Sequence, residues 1–445
     1  MPEGRRVGVW IAAACALALV ACGQASAAAD EARIVSEERL GPREIVLTVE
    51  TPAFAKPTKV TVDLPVRYRE RPRRRWPVAY FLAGTMNSHR TFNELVDGLA
   101  LTERFPAIVV SPHGDSGYWS DWYNGGAFGP PMYETYVAEQ LIPLIDARFR
   151  TRPRRAQRAV IGVSMGGYGA LMMAARHPDL FAAAASVSGA VDSNLAVNGL
   201  VLSLSSTFQG GQVDAIYGPR LTEEVRWRGH NPVDLAENLR GLHLQVRTAN
   251  GTLDTALGEH LLSADSVSCA VEWGVYRASL SLYGRLQDLE VPHVWKDYGR
   301  GCHSVPNFKR ELADTLAALK PVFRDPPKRP RRIDYRSIEP QFEVWGWRVR
   351  ADRRRPLEFL ELRGAGRRGA TVVGSGLTRV VTPPFFRGAR RVRLRGARER
   401  FAVPNRRGRI RFTVDLGEPS SGQQYRAGTK TNRVRRTVEF RARRG

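Results

Sequence analysis

Cysteine is scarce in this chain, which has four cysteines among 445 residues. Cys15 and Cys22 lie in an apolar N-terminal segment, so only Cys269 and Cys302 fall in the remainder of the chain. Two cysteines in an exported chain can form one disulfide, and the alternative is a pair of buried free thiols. A single Cys269–Cys302 bridge is therefore a candidate.

Long apolar runs are scarce as well. Residues 7–20 form one such run behind two arginines, and this arrangement is typical of an export signal over residues 1–29. A sequence that resembles a bacterial lipobox ends at Cys22, whereas Ala25-Ser-Ala27 offers an ordinary signal-peptidase site. No other run approaches the ~18 apolar residues that a membrane helix needs. We therefore expect an exported protein, either a cell-envelope lipoprotein lipidated at Cys22 or a free secreted chain.

Acidic residues are few in the last quarter of the chain. The formal net charge is +24, and residues 324–445 hold 34 Lys+Arg against 11 Asp+Glu. Residues 1–323 are nearly balanced, with 34 against 33. The larger part of the chain thus gives no electrostatic reason to expect nucleic acid, which is also a poor partner for an exported protein.

Apolar runs alternate with amphipathic segments along residues 30–323. Strands are predicted at 44–49, 59–64, 76–82, 107–111, 181–187, 242–249 and 291–298, and helices at 132–149, after residue 164 and at 305–319. Residues 189–240 are predicted to form a cap or insertion. Such alternation predicts a three-layer α/β domain with a mostly parallel central sheet between two layers of helices.

After a Pro/Arg-rich linker at residues 324–332, the spacing of the apolar residues changes to every second residue. Segments 391–395, 409–416 and 435–443 alternate polar with apolar residues and are separated by Gly and Pro, which predicts a small all-β, sandwich-like domain over 333–445. Its basic face could attract anionic envelope polymers or lipid headgroups. Trp345 and Trp347 lie two apart, so a strand would point both to one side. There they could stack on sugars, although core packing is the commoner role.

A serine stands at a sharp strand-to-helix turn. Gly162-Val-Ser164-Met-Gly166 follows an apolar run and precedes a helix of small residues. This G-x-S-x-G context exposes the serine hydroxyl above the end of a sheet, and glycines flank it because neighbouring backbone passes close. Ser164 is therefore the predicted nucleophile, and the alternative is a plain strand-to-helix turn.

A nucleophilic serine needs a base and an orienting acid, in the order serine, acid, histidine for this type of turn. His303 lies between the last predicted strand and the final helix, where such a base belongs, so it is the predicted base. Two acids compete. Asp254 follows the strand 242–249, the usual place for the acid, and Glu272 is predicted to open a helix. The residues alone favour Asp254.

The stretch 43–323 resembles the esterase D-like branch of the α/β-hydrolases, and within it the antigen 85 mycolyltransferases. The motifs that carry the resemblance are Tyr80-Phe-Leu-Ala-Gly84, Ser120-Asp-Trp-Tyr123, the Ser164 turn, His177-Pro178, Ser188-Gly189, Tyr217-Gly-Pro219, Asn231-Pro232, Asn250-Gly251 and His303-Ser304. The family places its acid on a helix about thirty residues before the histidine, and Glu272 matches that place. The resemblance therefore implies Glu272 as the acid, with Asp254 as the alternative.

The same resemblance implies the binding groups around the nucleophile. The oxyanion hole would use the backbone N–H groups of Met165 and Thr85, and Gly84, Met86 and Trp122 would contact substrate. Trp122 could equally brace its loop. Antigen 85 proteins carry an Asp before that glycine and an Arg shortly after it, both of which hold trehalose. Here Ala83 and Met86 take those places, which argues against trehalose as the acceptor.

These features predict an exported serine esterase or acyltransferase that acts through an acyl-enzyme on an acyl-ester lipid or glycolipid. No metal or cofactor is expected, and the oligomeric state is not predicted. The alternative is a non-catalytic envelope-binding or adhesion protein that keeps the hydrolase fold. The intact serine motif, the late histidine and two usable acids argue for the enzyme.

Overall fold

A computed structural model describes residues 31–260, 265–355, 358–426 and 428–444. The predicted export signal and Cys22 thus lie outside the described residues. The first strands are β1 Arg33–Arg39, β2 Glu44–Glu50, β3 Thr58–Asp63, β4 Val78–Leu82, β5 Ile108–Pro112, β6 Arg158–Val163, β7 Ala183–Val187, β8 His243–Thr248 and β9 Val294–Asp297. The helices are α1 Thr91–Glu94, α2 Gly98–Leu101, α3 Tyr133–Thr135, α4 Ile142–Arg148, α5 Met165–Arg176, α6 Ala196–Ser205, α7 Arg220–His230, α8 Asp265–Asp288 and α9 Val305–Val322.

The nine strands form one sheet in the order β1-β2-β3-β5-β4-β6-β7-β8-β9. The ladders from β5 to β9 are parallel, and those that join β1, β2, β3 and β5 are antiparallel. Strands β4 to β7 are buried along their whole length, as expected for parallel strands covered on both faces. The predicted fold class is confirmed.

Alternate residues of the central strands pack against different helices. Tyr80 and Leu82 of β4 join the core that contains α5, whereas Phe81 joins the core that contains Phe308 and Leu312 of α9. Side chains of a strand alternate between its two faces, so each face of the sheet receives its own helical layer. The result is a three-layer domain that presents the carboxyl ends of the parallel strands at one edge.

Several elements differ from the sequence prediction. Strand β1 extends the sheet and was not predicted, since its residues are mostly exposed. The predicted 132–149 helix contains a π-helical segment, Tyr136–Leu141, between α3 and α4. The 189–240 insertion holds α6 and α7. None of the helices in the described ranges is both long and apolar enough to cross a membrane.

The C-terminal strands are β10 Ile333–Ser337, β11 Gln341–Val344, β12 Trp347–Ala351, β13 Leu360–Gly366, β14 Gly369–Gly374, β15 Leu377–Val381, β16 Ala389–Arg395, β17 Phe401–Ala402, β18 Arg411–Asp415 and β19 Val434–Arg444. They form a six-stranded sheet, β10-β13-β14-β19-β16-β17, and a four-stranded sheet, β11-β12-β15-β18. Every ladder is antiparallel, and side chains of both sheets share one apolar core.

Trp345 and Trp347 both pack in the apolar core of the C-terminal sheets, the commoner role predicted for them, although Trp345 lies in a turn rather than in a strand. A turn through Trp345 and Gly346, both with positive φ, joins β11 to β12. Trp347 is fully buried in the core of the C-terminal sheets. Trp345 also contacts the N-terminal part of the chain, where its backbone N–H donates to Asp179 at 3.0 Å and the Arg155 guanidinium lies 4.7 Å from its ring. Trp345 therefore helps to join the two parts of the chain.

Candidate active site

The turn between β6 and α5 holds Ser164 in a strained backbone conformation. Its φ is 57° and its ψ is −122°, a region that a non-glycine residue occupies at a cost of about 1–3 kcal/mol. The flanking glycines make the turn possible. A Cβ on Gly166 would lie 1.8 Å from the Leu82 carbonyl oxygen, and one on Gly162 would lie 2.1 Å from the Gly166 oxygen. The motif glycines are thus needed because three backbone segments meet here.

His303 lies between Ser164 and Glu272. Its Nε2 is 2.8 Å from Ser164 Oγ, and its Nδ1 is 2.7 Å from Glu272 Oε2. The Glu272 side chain is fully buried, while the His303 side chain is 14% exposed. With Nδ1–H donating to the carboxylate, Nε2 is free to accept the serine proton. The structure therefore brings the predicted serine, histidine and glutamate into one hydrogen-bonded row.

Glu272 lies inside α8 rather than at the start of a helix, which corrects the sequence prediction of its position. Its Oε1 accepts hydrogen bonds from Ser188 Oγ at 2.8 Å, the Ala249 N–H at 3.0 Å and Thr248 Oγ1 at 3.3 Å. These donors occupy one carboxylate oxygen and leave the other for His303. The carboxylate is thereby fixed in position by the end of β8.

Asp254 has a different role. Its Oδ1 accepts from the Ala256 N–H at 3.1 Å and caps a short turn, and its Oδ2 lies 3.5 Å from Arg310. Its carboxylate makes no contact with His303 among the described residues. The structure thus brings Glu272 to His303 and leaves Asp254 as a capping residue.

A disulfide and a buried carboxylate hold the His303 loop. Cys269 on α8 is bonded to Cys302, with the two Cα atoms 4.1 Å apart. Glu259, which is 1% exposed, accepts from the Cys302 N–H at 2.9 Å and from Ser304 Oγ at 2.5 Å. The residues on both sides of His303 are therefore tied down, which fixes the imidazole between its two partners. Sequence reasoning missed Glu259, whose surroundings give no local motif.

The loop after β4 passes over the nucleophile. A Cβ on Gly84 would lie 3.3 Å from Ser164 Cβ, so the Gly84–Thr85 peptide is close to the reacting oxygen. The Met86 N–H donates to the Asp115 carbonyl at 3.0 Å, and the Met86 side chain is 69% exposed. Met165 is the first residue of α5, where backbone N–H groups have no partner within the helix. Gly84 and Met165 thus lie on the two segments that meet at Ser164, and the Met165 and Thr85 N–H groups remain the predicted oxyanion donors.

Trp122 has the contacts of a bracing residue. It is 4% exposed, and its Nε1 donates to the Gly117 carbonyl at 3.2 Å. Its neighbour Asp121 accepts from the Thr135 N–H at 3.0 Å. Of the two roles predicted for this loop, the contacts fit bracing, and they do not bring Trp122 to Ser164.

A second buried carboxyl lies behind Glu272. Glu311 on α9 is fully buried, and Ser188 Oγ is 3.3 Å from both of its oxygens. Burial, and then the charge of Glu272, raise the pKa of Glu311 well above its usual value. A neutral Glu311 can donate its proton to Ser188 Oγ while Ser188 donates to Glu272. Sequence reasoning missed this group, although a glutamate on the apolar face of an amphipathic helix could have drawn attention to it.

A family model for esterases matches residues 51–319. The chain belongs to the esterase family. Its resemblance to the antigen 85-like α/β-hydrolases, drawn first from the motifs, is thereby confirmed. In the described ranges, no group of three or more His, Cys, Asp or Glu is arranged to hold a metal ion.

Individual relatives extend this family assignment. Esterase Rv1288 of Mycobacterium tuberculosis (strain ATCC 25618 / H37Rv) is 33% identical over 298 residues, which cover 65% of this chain and 62% of that protein. The diacylglycerol acyltransferase/mycolyltransferase Ag85B of Mycobacterium leprae (strain TN) is 32% identical over 153 residues, 33% of this chain and 46% of that protein. The chain thus spans less than two thirds of these relatives.

A solved structure shares the fold at low sequence identity. An S-formylglutathione hydrolase from Agrobacterium tumefaciens aligns with a TM-score of 0.50 and 16% identity, over 65% of this chain and 99% of that one. The aligned share leaves about a third of this chain outside the common fold. This member of the esterase family therefore carries a substantial addition to the hydrolase fold.

Proposed function

We propose that this protein is an exported serine esterase or acyltransferase that forms an acyl-enzyme at Ser164. The single observation that supports the proposal most is the position of His303, within hydrogen-bond reach of both Ser164 and Glu272. A serine hydroxyl needs such a base to become a nucleophile at neutral pH, and the base needs an acid to fix its tautomer.

In the first step, His303 Nε2 accepts the Ser164 proton as Oγ attacks the ester carbonyl carbon. The carbonyl oxygen becomes an oxyanion, for which the N–H groups of Met165 and Thr85 are the proposed donors. Loss of one such donor typically lowers the rate about 100- to 1,000-fold. The Glu272 carboxylate stabilises the imidazolium that has formed, without itself taking the proton.

In the second step, His303 returns that proton to the leaving alcohol oxygen as the C–O bond breaks, which leaves the acyl group on Ser164. Water, or the hydroxyl of an acceptor, then attacks the acyl carbon while His303 takes its proton. Collapse of this second tetrahedral intermediate restores Ser164 and releases a free acid or a new ester. Hydrolysis and transfer differ only in which hydroxyl reaches the acyl carbon first.

The proposed acyl group is a long apolar chain. Helix α6 exposes Val197, Leu200, Val201 and Leu204, which recur at the spacing of one helical face. This helix lies beside α8, since a Cβ on Gly274 would be 4.0 Å from Asn198 Oδ1. Trp273, the residue after Glu272, is also 56% exposed. The active site is therefore flanked by an apolar surface suited to lipid ester substrates.

The proposed acceptor is a hydroxyl other than those of trehalose. Ala83 and Met86 stand where antigen 85 proteins carry the Asp and Arg that hold trehalose. Neither side chain offers a charged group to a sugar, and Met86 adds exposed apolar surface near Gly84. An acceptor with apolar character, or water, suits these residues better.

The remaining sequence predictions stay proposals. We propose residues 1–29 as the export signal, with Cys22 as the candidate lipidation site. We propose 30–323 as the catalytic domain, 324–332 as the linker and 333–445 as a second domain, because α9 ends at Val322 and β10 begins at Ile333. Its basic charge supports contact with anionic envelope polymers or lipid headgroups.

The decisive test is labelling with a serine-reactive fluorophosphonate. Folded protein without residues 1–29 is expected to take one label on Ser164, located by peptide mass spectrometry. Ser164→Ala is the matched control and should take none. A folded wild-type protein that stays unlabelled would support the rival function, a non-catalytic envelope-binding or adhesion protein.

Product analysis separates hydrolysis from transfer. The same protein would be given p-nitrophenyl esters of increasing chain length, with and without sugar acceptors that include trehalose. Free acid as the only product identifies an esterase. Acylated acceptor formed at the expense of free acid identifies an acyltransferase, and acylated trehalose in particular would contradict the acceptor proposed here.

A further inference from the structure

A cleft separates the four-stranded C-terminal sheet from the catalytic part of the chain. It has a volume of about 1080 Å³. Its C-terminal wall includes Phe342, Arg348, Arg350, Arg379 and Arg411, and its opposite wall includes Asp121, Trp122, Phe128, Glu134, Glu139 and His177. Ser164 and His303 do not line it. We call this space the arginine cleft.

The strand register gathers like charges on one wall of the arginine cleft. Arg350 of β12 lies directly opposite Arg379 of β15, and the next strand places Arg411 opposite Val381 on the same face. Like charges directly opposite in a sheet are destabilising. Arg348 pairs with Glu343 at 2.7 Å, but no salt bridge in the described part of the chain involves Arg350, Arg379 or Arg411. An anion in the cleft would offset this repulsion.

The opposite wall does not neutralise these arginines. Glu134 accepts from Arg176 at 2.7 Å and lies 2.8 Å from His177 Nε2, so its charge is already matched. Asp121 bonds to Thr135, and its burial, followed by the charge of Glu134, raises its pKa to about 6. Glu139 is an exposed carboxylate on this wall. At neutral pH Asp121 is still largely ionised, so Asp121 and Glu139 together face three arginines that have no salt bridge among the described residues, and the cleft keeps an excess of positive charge.

The shape of the cleft decides between anionic partners. A flat bilayer cannot enter a concave space between two parts of a chain, whereas a single polymer segment can. The Phe128 side chain lines the same wall and is 52% exposed, so an aromatic face is available to pack against a sugar ring.

We propose that the arginine cleft binds a segment of an acidic polysaccharide. The proposal narrows the envelope contact proposed above to one place and one class of ligand. It does not depend on the acyl-enzyme mechanism, and fluorophosphonate labelling tests that mechanism separately. The arginines supply the ionic contacts, and Phe128 supplies an apolar contact with a sugar ring.

The test compares two charge-reversed variants in binding assays. Arg350→Glu combined with Arg379→Glu alters an opposed pair inside the cleft. Arg393→Glu combined with Arg441→Glu alters an opposed pair of exposed arginines on β16 and β19, outside the cleft, with the same change of net charge. Fluorescence anisotropy would measure Kd for labelled polygalacturonate and polyglycerol phosphate over a range of salt. Neutral dextran and phosphatidylglycerol vesicles serve as comparison ligands.

The wild-type chain is expected to bind polygalacturonate, more weakly at high salt, and not dextran. The cleft variant should bind roughly tenfold more weakly or worse, and the outer variant should stay within about twofold of wild type. Equal loss in both variants, binding to vesicles alone or to polyglycerol phosphate alone, or no binding to polygalacturonate overturns the proposal.

Thermal unfolding shows whether each variant is folded. If the charge-reversed cleft variant does not fold, Arg350→Gln combined with Arg379→Gln replaces it. That neutral pair should lower the slope of log Kd against log salt by about two. An unchanged slope in this pair also overturns the proposal.

Discussion

Replacement of the carboxylate that faces His303 should nearly abolish turnover. We expect Glu272→Gln to lower kcat about 10³- to 10⁴-fold, the scale seen when a triad acid becomes an amide. The exchange keeps the size of the side chain and removes its charge. Its effect therefore reports on the tautomer of His303 rather than on packing.

The hydrogen bonds of Glu272 decide how the new amide must lie. Its Oε1 accepts from the Ala249 backbone N–H at 3.0 Å, and a backbone donor cannot become an acceptor. A glutamine must therefore place its oxygen at that position and turn its NH₂ group toward His303 Nδ1, now 2.7 Å away. Nδ1 then has to accept, so the imidazole proton moves to Nε2. That proton faces Ser164 Oγ at 2.8 Å, and the base is lost.

Steady-state hydrolysis of a p-nitrophenyl ester and the rate of fluorophosphonate labelling should fall together. KM should change little, because the lost interaction belongs to the transition state. Asp254→Asn is the matched control. Its carboxylate caps a turn and lies 3.5 Å from Arg310, so kcat should stay within a factor of about three. Thermal unfolding midpoints would show that both variants are folded.

Two results would refute this reasoning. Glu272→Gln that keeps kcat within tenfold of wild type would show that His303 does not depend on this carboxylate. A loss in Asp254→Asn as large as that in Glu272→Gln would reassign the acid to Asp254.

Three further predictions follow from buried or exposed groups. Glu311→Gln should keep kcat within about tenfold, because the raised pKa leaves this carboxyl neutral already. A raised folded pKa also means that wild-type stability falls as pH rises above the ordinary glutamate range, so the gain in unfolding midpoint from Glu311→Gln should grow with pH. Gly166→Ala should prevent folding or lower the midpoint steeply, whereas Gly284→Ala, with nothing within 4 Å, should not lower it. Leu200→Ser should reduce kcat/KM more for long than for short acyl esters. Val403→Ser, a change of an exposed residue just after β17, should leave the ratio of kcat/KM between long and short esters unaltered. The same ratio in both variants would contradict a lipid-facing role for α6.

The nucleophile and the base could be placed from the sequence because their signals are local. Ser164 needs a strand, a turn and a helix within about twenty residues, and the two glycines around it are required by the approach of Leu82. His303 follows the last parallel strand, β9, and precedes α9. Parallel strands end at one edge of the sheet, so both positions follow from the order of elements.

The acid could not be placed from local sequence. Asp254 and Glu272 both follow β8, and which of them reaches His303 depends on how α8 packs against the end of that strand. The Ala249 N–H and Ser188 Oγ hold the Glu272 carboxylate, and these groups come from distant parts of the chain. The family resemblance identified Glu272 as the acid. The physical reason that Glu272 rather than Asp254 reaches His303 is the packing of α8 against the end of β8.

Many arginines of the C-terminal sheets are paired with carboxylates, which composition alone does not reveal. Glu361 alone pairs with three arginines of the C-terminal sheets, at 2.6 Å from Arg363, 2.7 Å from Arg433 and 3.8 Å from Arg336. Those arginines hold the structure together, and their pairing lowers the pKa of Glu361 despite its burial.

The net charge of the C-terminal quarter therefore does not measure its capacity to bind an anion. Arg350 and Arg379 contribute to that charge as much as Arg363 or Arg433 does, but they lie opposite each other and have no carboxylate partner among the described residues. The strand register and the salt bridges distinguish two groups of arginines. One group stabilises the fold through carboxylate partners, and the other would be stabilised by a bound anion. A basic region is for this reason better judged by its unpaired arginines than by its total charge.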